Sequence, residues 1–308
     1  MTRYAVTGGA GFIGSNIVAA LIERGDDVVV LDDLSSGFAE NLGDLDVTFV
    51  EASVLDRAAV DKAVHGCSVV FHLAASVGNK RSIDDPIHDA EVNVLGTINV
   101  LEACRDAGVS RLVQSSSAGI FGELKQLPIA EDHPLEPDSP YGASKLGAEK
   151  VALAYARLYE LEVAALRYFN VYGRNQRFDE YGNVIPIFVF QMLGGEPVTI
   201  YGDGEQTRDF VEVRDVVQAN LRAANATGTS GAFNVASGTK ITINELANLI
   251  AKEVGGDPEI VHGPPRPGDV RHSLADISAA QSAFGFVPQV GLAEGLRDYV
   301  AWARGVAG

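Results

Sequence analysis

The 308-residue sequence predicts an α/β fold in which a doubly wound parallel sheet, helices on both faces, is joined to a smaller C-terminal α/β lobe. Three observations carry this. Short β-rich runs alternate with helical patterns through the first half, a glycine-rich stretch stands at the first strand-to-helix junction, and past residue 168 the rhythm breaks into turns. Single cores stop growing near about 250–300 residues, so the length also suits two lobes.

The strands are predicted at Tyr4–Val6, Val28–Leu31, Val47–Val50, Ser68–Leu73 and Arg111–Ser115. Helical patterns lie between and after them, around Gly14–Arg24, Arg57–Val64, Asn93–Ala107 and Tyr141–Leu158. The last two are unusually apolar. Two readings fit them, a subunit interface or deep packing against the sheet. After Arg167-Tyr168-Phe169-Asn170 come turn-rich stretches such as Gly202-Asp203-Gly204 and a rigid loop at Gly263-Pro264-Pro265-Arg266-Pro267-Gly268. Helices are still expected at Leu246–Val254 and Leu292–Trp302. The first domain is placed at 1–168, with a return segment near 210–228, and the second at 169–308.

Composition narrows the function classes. Hydrophobic content of 46% and charged content of 21% are those of a folded globular chain. A net charge of −17 disfavours nucleic acid and anionic membranes as partners, so an anionic ligand must be gripped locally. No apolar run approaches the ~20 residues of a membrane span, and a cytoplasmic location is expected. Cys67 and Cys104 lie far apart in sequence and suggest neither a disulfide framework nor a metal site.

The stretch Thr7-Gly8-Gly9-Ala10-Gly11-Phe12-Ile13-Gly14-Ser15 follows a strand and opens a helix. In that context Gly8 permits the turn, Gly11 lets backbone approach a pyrophosphate, and Gly14 lets helix and sheet pack closely. The helix N-terminus then faces the anion. Asp32, near the ~20-residue offset at the end of the second strand, suits the adenosine ribose hydroxyls and repels a 2′-phosphate, which favours NAD over NADP. Asp33 could share that role or be a solvated loop acid. His72 reads as a packed strand histidine.

Ser139-Pro140-Tyr141-Gly142-Ala143-Ser144-Lys145 sets a tyrosine and a lysine four apart at the start of a helix, so both project from one face. An ammonium beside a phenol is expected to pull its pKa down from ~10 and make it a general base. Ser117, closing the Ser115-Ser116-Ser117 run, is placed to share the substrate's reacting oxygen with Tyr141. Ser115 and Ser116 read as turn and backbone-bonding residues.

Taken together, TGGAGFIGS, LDDLSSG, FHLAAS, VNVLGTINVLEA, SSSAGIFG, SPYGASK, RYFNVYGRNQ, GDGEQTRDF and RPGDVRHSLADIS resemble the extended short-chain dehydrogenase/reductase family over essentially the whole chain, and within it the nucleotide-sugar 4-epimerases. The resemblance implies a Rossmann-type sheet and a homodimer. It implies NAD held by Gly8, Gly11, Phe12, Ile13, Gly14, Asp32, Asp33, Val54, Ala74, Asn93 and Tyr168, and a catalytic set of Ser117, Tyr141 and Lys145, the last two also on the cofactor. It places a UDP-sugar against Ser117, Tyr141, Asn170, Asn183, Tyr201, Arg208, Arg266, Asp269 and Ser273. The arginine fork suits a diphosphate. Ser53 departs from the family, where an aspartate usually bonds the adenine amino group.

Three reactions compete on this scaffold, all beginning with oxidation of the sugar at C4. Dehydratases need an Asp-Glu pair directly after the reactive Ser/Thr and decarboxylases usually carry a glutamate there, whereas this chain has Ala118-Gly119. Epimerisation remains. Relatives specific for plain hexoses carry a tyrosine at the place of Ser273, so a small residue there points to N-acetylated sugars. Ser273 could instead cap a helix, uronic-acid epimerases share parts of the pattern, and UDP-glucose stays open as a second substrate. Non-catalytic dinucleotide sensors of this fold typically lose the Tyr-x-x-x-Lys pair, which is intact here.

Overall fold

The structure, a computed structural model, describes residues 2–179, 182–265 and 270–306. Its strands β1 (Arg3–Thr7), β2 (Asp27–Asp32), β3 (Thr48–Glu51), β4 (Val69–His72), β5 (Arg111–Ser117) and β6 (Glu162–Tyr168) join the later strand Gly231–Val235 in one parallel sheet. From one edge the order is Gly231–Val235, β6, β5, β4, β1, β2, β3. The order reverses between β1 and β4, so their carboxyl ends open a crevice, the place where ligands bind in such sheets.

The strands read as continuous apolar runs because both faces are covered. On one face α1 (Phe12–Glu23) and the helix Val213–Asn225 enclose a core with Val6, Val30, Phe71 and Leu166. On the other, α2 (Arg57–Val64), α5 (Gly96–Ala107) and α6 (Pro140–Leu158) enclose Ala5, Val29, Val70 and Leu112. Between β4 and α5 lie two short helices, α3 (Asn79–Asp84) and α4 (Pro86–Ala90), and one wide π-turn over Glu91–Leu95. Both readings of the apolar helices find support: Val100, Leu101 and Ala152 are fully buried, while Leu95 and Leu158 are 54% and 71% exposed.

The second lobe has its own core, where the helices Val184–Leu193, Ile243–Val254 and Leu292–Val306 pack around Ile200 and Phe210. The return of the chain to the first lobe runs further than the sequence suggests. Beyond the helix Val213–Asn225, Gly231–Val235 pairs with β6 from Gly231↔Ala164 to Val235↔Tyr168. Its sequence, GAFNV, begins with a glycine and holds a buried asparagine, which masks the strand pattern.

Candidate active site

The glycine turn is built by close approach. A Cβ on Gly14 would sit 2.1 Å from the Gly8 carbonyl oxygen, and one on Gly8, at φ +69°, would sit 2.6 Å from the Ala74 nitrogen. Only bare backbone brings the start of α1 down to the sheet edge beside Ala74. The Gly11 backbone N–H donates to Gly8 O, and Phe12 and Ile13 open the helix behind it. The cradle therefore fits a dinucleotide pyrophosphate at a helix N-terminus.

Asp32 is buried at the end of β2 and accepts the backbone N–H groups of Ala10 (2.9 Å) and Leu34 (2.9 Å). Its carboxylate thus ties the glycine turn to the second strand. Burial pushes its pKa up, against those two hydrogen bonds. Asp33 is exposed and accepts from Ser35 N at 3.0 Å and from Ser35 Oγ. Val54 is buried against Gly96, and the neighbouring Ser53 Oγ accepts Leu55 N at 3.3 Å, closing its own turn. His72 is the packed residue expected: it bridges Thr7 Oγ1 (2.7 Å) and Thr97 Oγ1 (2.9 Å), and burial holds its pKa down to about 3.

Ser117, Tyr141 and Lys145 come together across the junction of β5 and α6. Ser139 caps α6, its Oγ accepting Gly142 N at 3.1 Å, and Pro140 starts the first turn. Tyr141 therefore stands half-buried at the positive end of the helix dipole. Gly142 and Gly119 allow the approach. A Cβ on Gly142 would lie 2.4 Å from Gly119 O, and one on Gly119 would lie 3.4 Å from Ser117 Oγ and 3.7 Å from the Tyr141 ring.

The electrostatics differ from the expectation that the lysine simply lowers the phenol pKa. Burial holds the Tyr141 phenol above its ordinary value; the Ser117 hydroxyl opposes this and Asp89 adds to it. Lys145 turns its ammonium to Ser115 O at 2.6 Å and Ser115 Oγ at 3.3 Å. Its own pKa is pushed down to about 8 by burial. Ser115 and Ser116 are strand residues with buried partners, Ser116 Oγ donating to Glu149 at 2.7 Å.

Asn93, buried in the π-turn, accepts Ser76 N at 2.9 Å and donates to Ser76 O, Asp89 and Ser144 Oγ. Tyr168 pairs with Ser117 across β5 and β6, but its hydroxyl donates to Asn220 at 3.0 Å in the core, leaving its backbone to face the crevice. Sequence reasoning missed Asp89, Ser144, Glu149 and Asp209. Asp89 and Glu149 are single acids in ordinary helical stretches, while Ser144 and Asp209 stand inside the motifs SPYGASK and GDGEQTRDF, where their neighbours Lys145 and Arg208 drew the chemical reading.

In the second lobe, Arg208 lies on the short strand Thr207–Arg208, and Ser273 donates its backbone N–H to Thr207 O at 3.1 Å. The buried Asp209 carboxylate collects Ser237 N, Ser237 Oγ, Gly238 N and Ala275 N, locking these strands together. Ser273 is buried and caps no helix; the helix Ser278–Phe284 has no side-chain cap. Asn170 donates to Asp209 O at 2.9 Å, Asn183 precedes the helix Val184–Leu193, and Tyr201 ends the strand Val198–Tyr201 at the surface. Arg266 and Asp269 lie outside the described residues. Among the described residues no group of His, Cys, Asp or Glu could hold a metal ion, and no helix is long and apolar enough to cross a membrane.

Comparison with known proteins agrees with this geometry. Residues 4–236 match the model of the NAD dependent epimerase/dehydratase family. A UDP-glucose 4-epimerase of Mycolicibacterium smegmatis is 43% identical over 98% of each chain. Among solved structures, the UDP-glucose 4-epimerase of Thermotoga maritima with UDP-glucose superposes with a TM-score of 0.95 at 41% identity, covering 100% of both chains. A UDP-N-acetylglucosamine 4-epimerase from Methanobrevibacter ruminantium, in complex with UDP-N-acetylmuramic acid, superposes with a TM-score of 0.95 at 37% identity over 99% of both.

Proposed function

The chain belongs to the NAD-dependent epimerase/dehydratase family, enzymes acting on nucleotide sugars, and from that premise we propose that it epimerises a UDP-hexose at C4 through a transient 4-keto sugar. Its main pair is UDP-N-acetylglucosamine and UDP-N-acetylgalactosamine, with UDP-glucose and UDP-galactose second. A homodimer through the outer faces of α5 and α6 goes with this reading.

The cofactor is NAD, which when bound accepts hydride from the sugar's C4 and returns it. The protein's own residues do the rest. Gly8, Gly11 and Gly14 cradle the pyrophosphate and Asp32 stands at the adenosine ribose. As the phenolate, Tyr141 takes the proton from the 4-hydroxyl and as the phenol gives it back, Ser117 hydrogen-bonds the same oxygen, and Lys145 supplies positive charge that favours the phenolate. Arg208 and Arg266 grip the diphosphate. The 4-keto ring turns over about its linkage to the diphosphate and is reduced from its other face.

One observation carries the choice of epimerisation: the turn beside Tyr141 is Ala118-Gly119, so neither residue there brings an acid side chain to eliminate water. The choice of sugar rests on Ser273, small and buried beside the Arg208 strand. We expect Ser273→Tyr to exclude UDP-N-acetylglucosamine and spare UDP-glucose. Overpacking a formed site costs ~1–3 kcal/mol, about 5- to 150-fold in kcat/KM. Measuring kcat/KM for both sugars in both proteins tests this. Equal losses would make Ser273 structural, turnover of UDP-glucuronate alone would replace the substrate, and release of water from the sugar would overturn the reaction.

A further inference from the structure

Asp89 is a buried carboxylate, 1% exposed, at the C-terminal end of α4, and the chemistry above does not use it. Buried carboxylates normally sit against a cation. Among the described residues none lies within ion-pair distance of Asp89. Its partners are neutral: Ser144 Oγ donates to Oδ2 at 2.5 Å and Asn93 Nδ2 donates to Oδ1 at 3.1 Å. Asn93 Nδ2 also reaches Ser144 Oγ at 2.9 Å, which closes a triangle of side chains.

The corners of that triangle lie on three parts of the site. Ser144 is the residue between Tyr141 and Lys145 on α6, and its Oγ also contacts Tyr141 O at 3.0 Å. Asn93 grips both the N–H and the C=O of Ser76 in the segment after β4. Asp89 holds the two together from a helix that otherwise has no part in the crevice. Two further carboxylates or bases face the lysine. Glu149 lies one turn along α6 but is matched by Arg167 of β6 through two hydrogen bonds, at 2.8 and 2.9 Å, and His72 on β4 is neutral. Of the two acids that act on Lys145 among the described residues, Asp89 is thus the one whose charge is not already spent on a guanidinium.

We propose that Asp89 is a positioning residue for the proton-transfer pair: through Ser144 and Asn93 it fixes the turn of α6 that carries Tyr141 and Lys145, and it supplies a buried negative charge to the neighbourhood of the Lys145 ammonium. This rests on reading Tyr141 and Lys145 as that pair. Burial already brings Lys145 down to about 8, with Asp89 and Glu149 opposing the fall. Removing the Asp89 charge lowers the lysine further, so the ammonium is lost at a lower pH and activity falls off earlier on the alkaline side.

The chain has seven lysines, few enough to follow individually by NMR of isotope-labelled lysine in the full-length protein, with Lys145→Met assigning the signal. Asp89→Asn should move the Lys145 titration down by about one pH unit, the usual effect of one nearby charge. The high-pH limb of kcat/KM should move the same way. Ser144→Ala keeps the charge: it should leave the Lys145 titration within a few tenths of a unit and lower kcat about tenfold or more with KM unchanged. An Asp89→Asn protein that is slower but titrates like wild type overturns the proposal, as does full kcat in Ser144→Ala. If Asp89→Asn does not fold, Ser144→Ala decides alone. A wild type inert towards every UDP-sugar would sink the proposed function, whereas the lysine titration reads Asp89 without substrate.

Discussion

Tyr141 is held where its phenol is hard to ionise, since burial raises its pKa, yet it stands at the N-terminus of α6 with the Ser117 hydroxyl bonding it and opposing that rise. Its proton-transfer role thus depends on the surrounding charges more than on the Tyr-x-x-x-Lys spacing. Tyr141→Phe removes the transferable proton and little volume. We expect turnover to fall by roughly 10²–10⁴ while NAD is retained, the usual share of a general base. Steady-state rates on UDP-sugars and the NAD content of the purified protein check this; near wild-type turnover would dismiss the mechanism. The Gly8–Gly14 turn, Asp32, Ser117 and Lys145 were legible because each stands in a motif whose spacing has a physical reason. Asp89 and Glu149 were not, because one acid in a helical stretch of a chain with 41 acids looks like a solvated face. Only the packing of α4 and β6 against α6 shows that both are buried.

At the level of elements, α6 does two jobs on one face. Its first turn presents Tyr141 and Lys145, and one turn later Glu149 forms a buried ion pair with Arg167 of β6, their side chains 0% and 3% exposed. Ser116 on β5 donates to the same carboxylate, so helix and two strands meet at one group directly beneath the reactive serine. Glu149→Gln leaves the guanidinium buried without its counter-charge. Breaking such a pair costs about 3–5 kcal/mol, while replacing both partners by apolar residues of similar volume is far milder. Denaturant midpoints for Glu149→Gln and for the double variant Glu149→Met/Arg167→Met test this; equal losses in the two would mean the pair is not the source. Six helices were predicted to within about four residues because apolar periodicity marks them, α2 to the residue, whereas α3, α4, Val184–Leu193, Val213–Asn225 and Ser278–Phe284 were not named. The π-turn at Glu91–Leu95 escaped, since nothing in Glu-Val-Asn-Val-Leu distinguishes a widened turn from a regular one, and it is that turn which holds Asn93 inward.

Across the whole molecule, two lobes share one crevice, and the chain crosses between them more than once. The helix Val213–Asn225 and the strand Gly231–Val235 return to the first lobe, while the backbone of Arg174 accepts from Asn16 at 2.9 Å and Asn175 donates to Ser15 Oγ at 2.9 Å, just past the glycine turn. Five of the sheet's seven strands were legible from alternation, β6 and Gly231–Val235 were not, and the crossings depend on contacts between residues from 67 (Gly231 with Ala164) to 160 (Asn175 with Ser15) positions apart, which no local pattern encodes. Because the glycine turn proposed to cradle NAD belongs to the first lobe and is strapped by Arg174 and Asn175, filling it should stabilise the molecule as a unit. A ligand at 100 times its Kd adds about 2.7 kcal/mol, which for a chain of this size corresponds to a rise in Tm of roughly 4 °C. NAD should produce that rise in protein stripped of cofactor, and NADP at the same concentration should not, since Asp32 repels a 2′-phosphate. Asp32→Ala should shrink the NAD shift and enlarge the NADP shift together. It also removes the acceptor for Ala10 N and Leu34 N, so its unliganded Tm should drop, and only the shifts relative to that baseline count. Thermal melts of both proteins with each dinucleotide give the answer: an NADP shift equal to that of NAD in the wild type would remove Asp32 from cofactor selection and leave it a structural tie of the glycine turn.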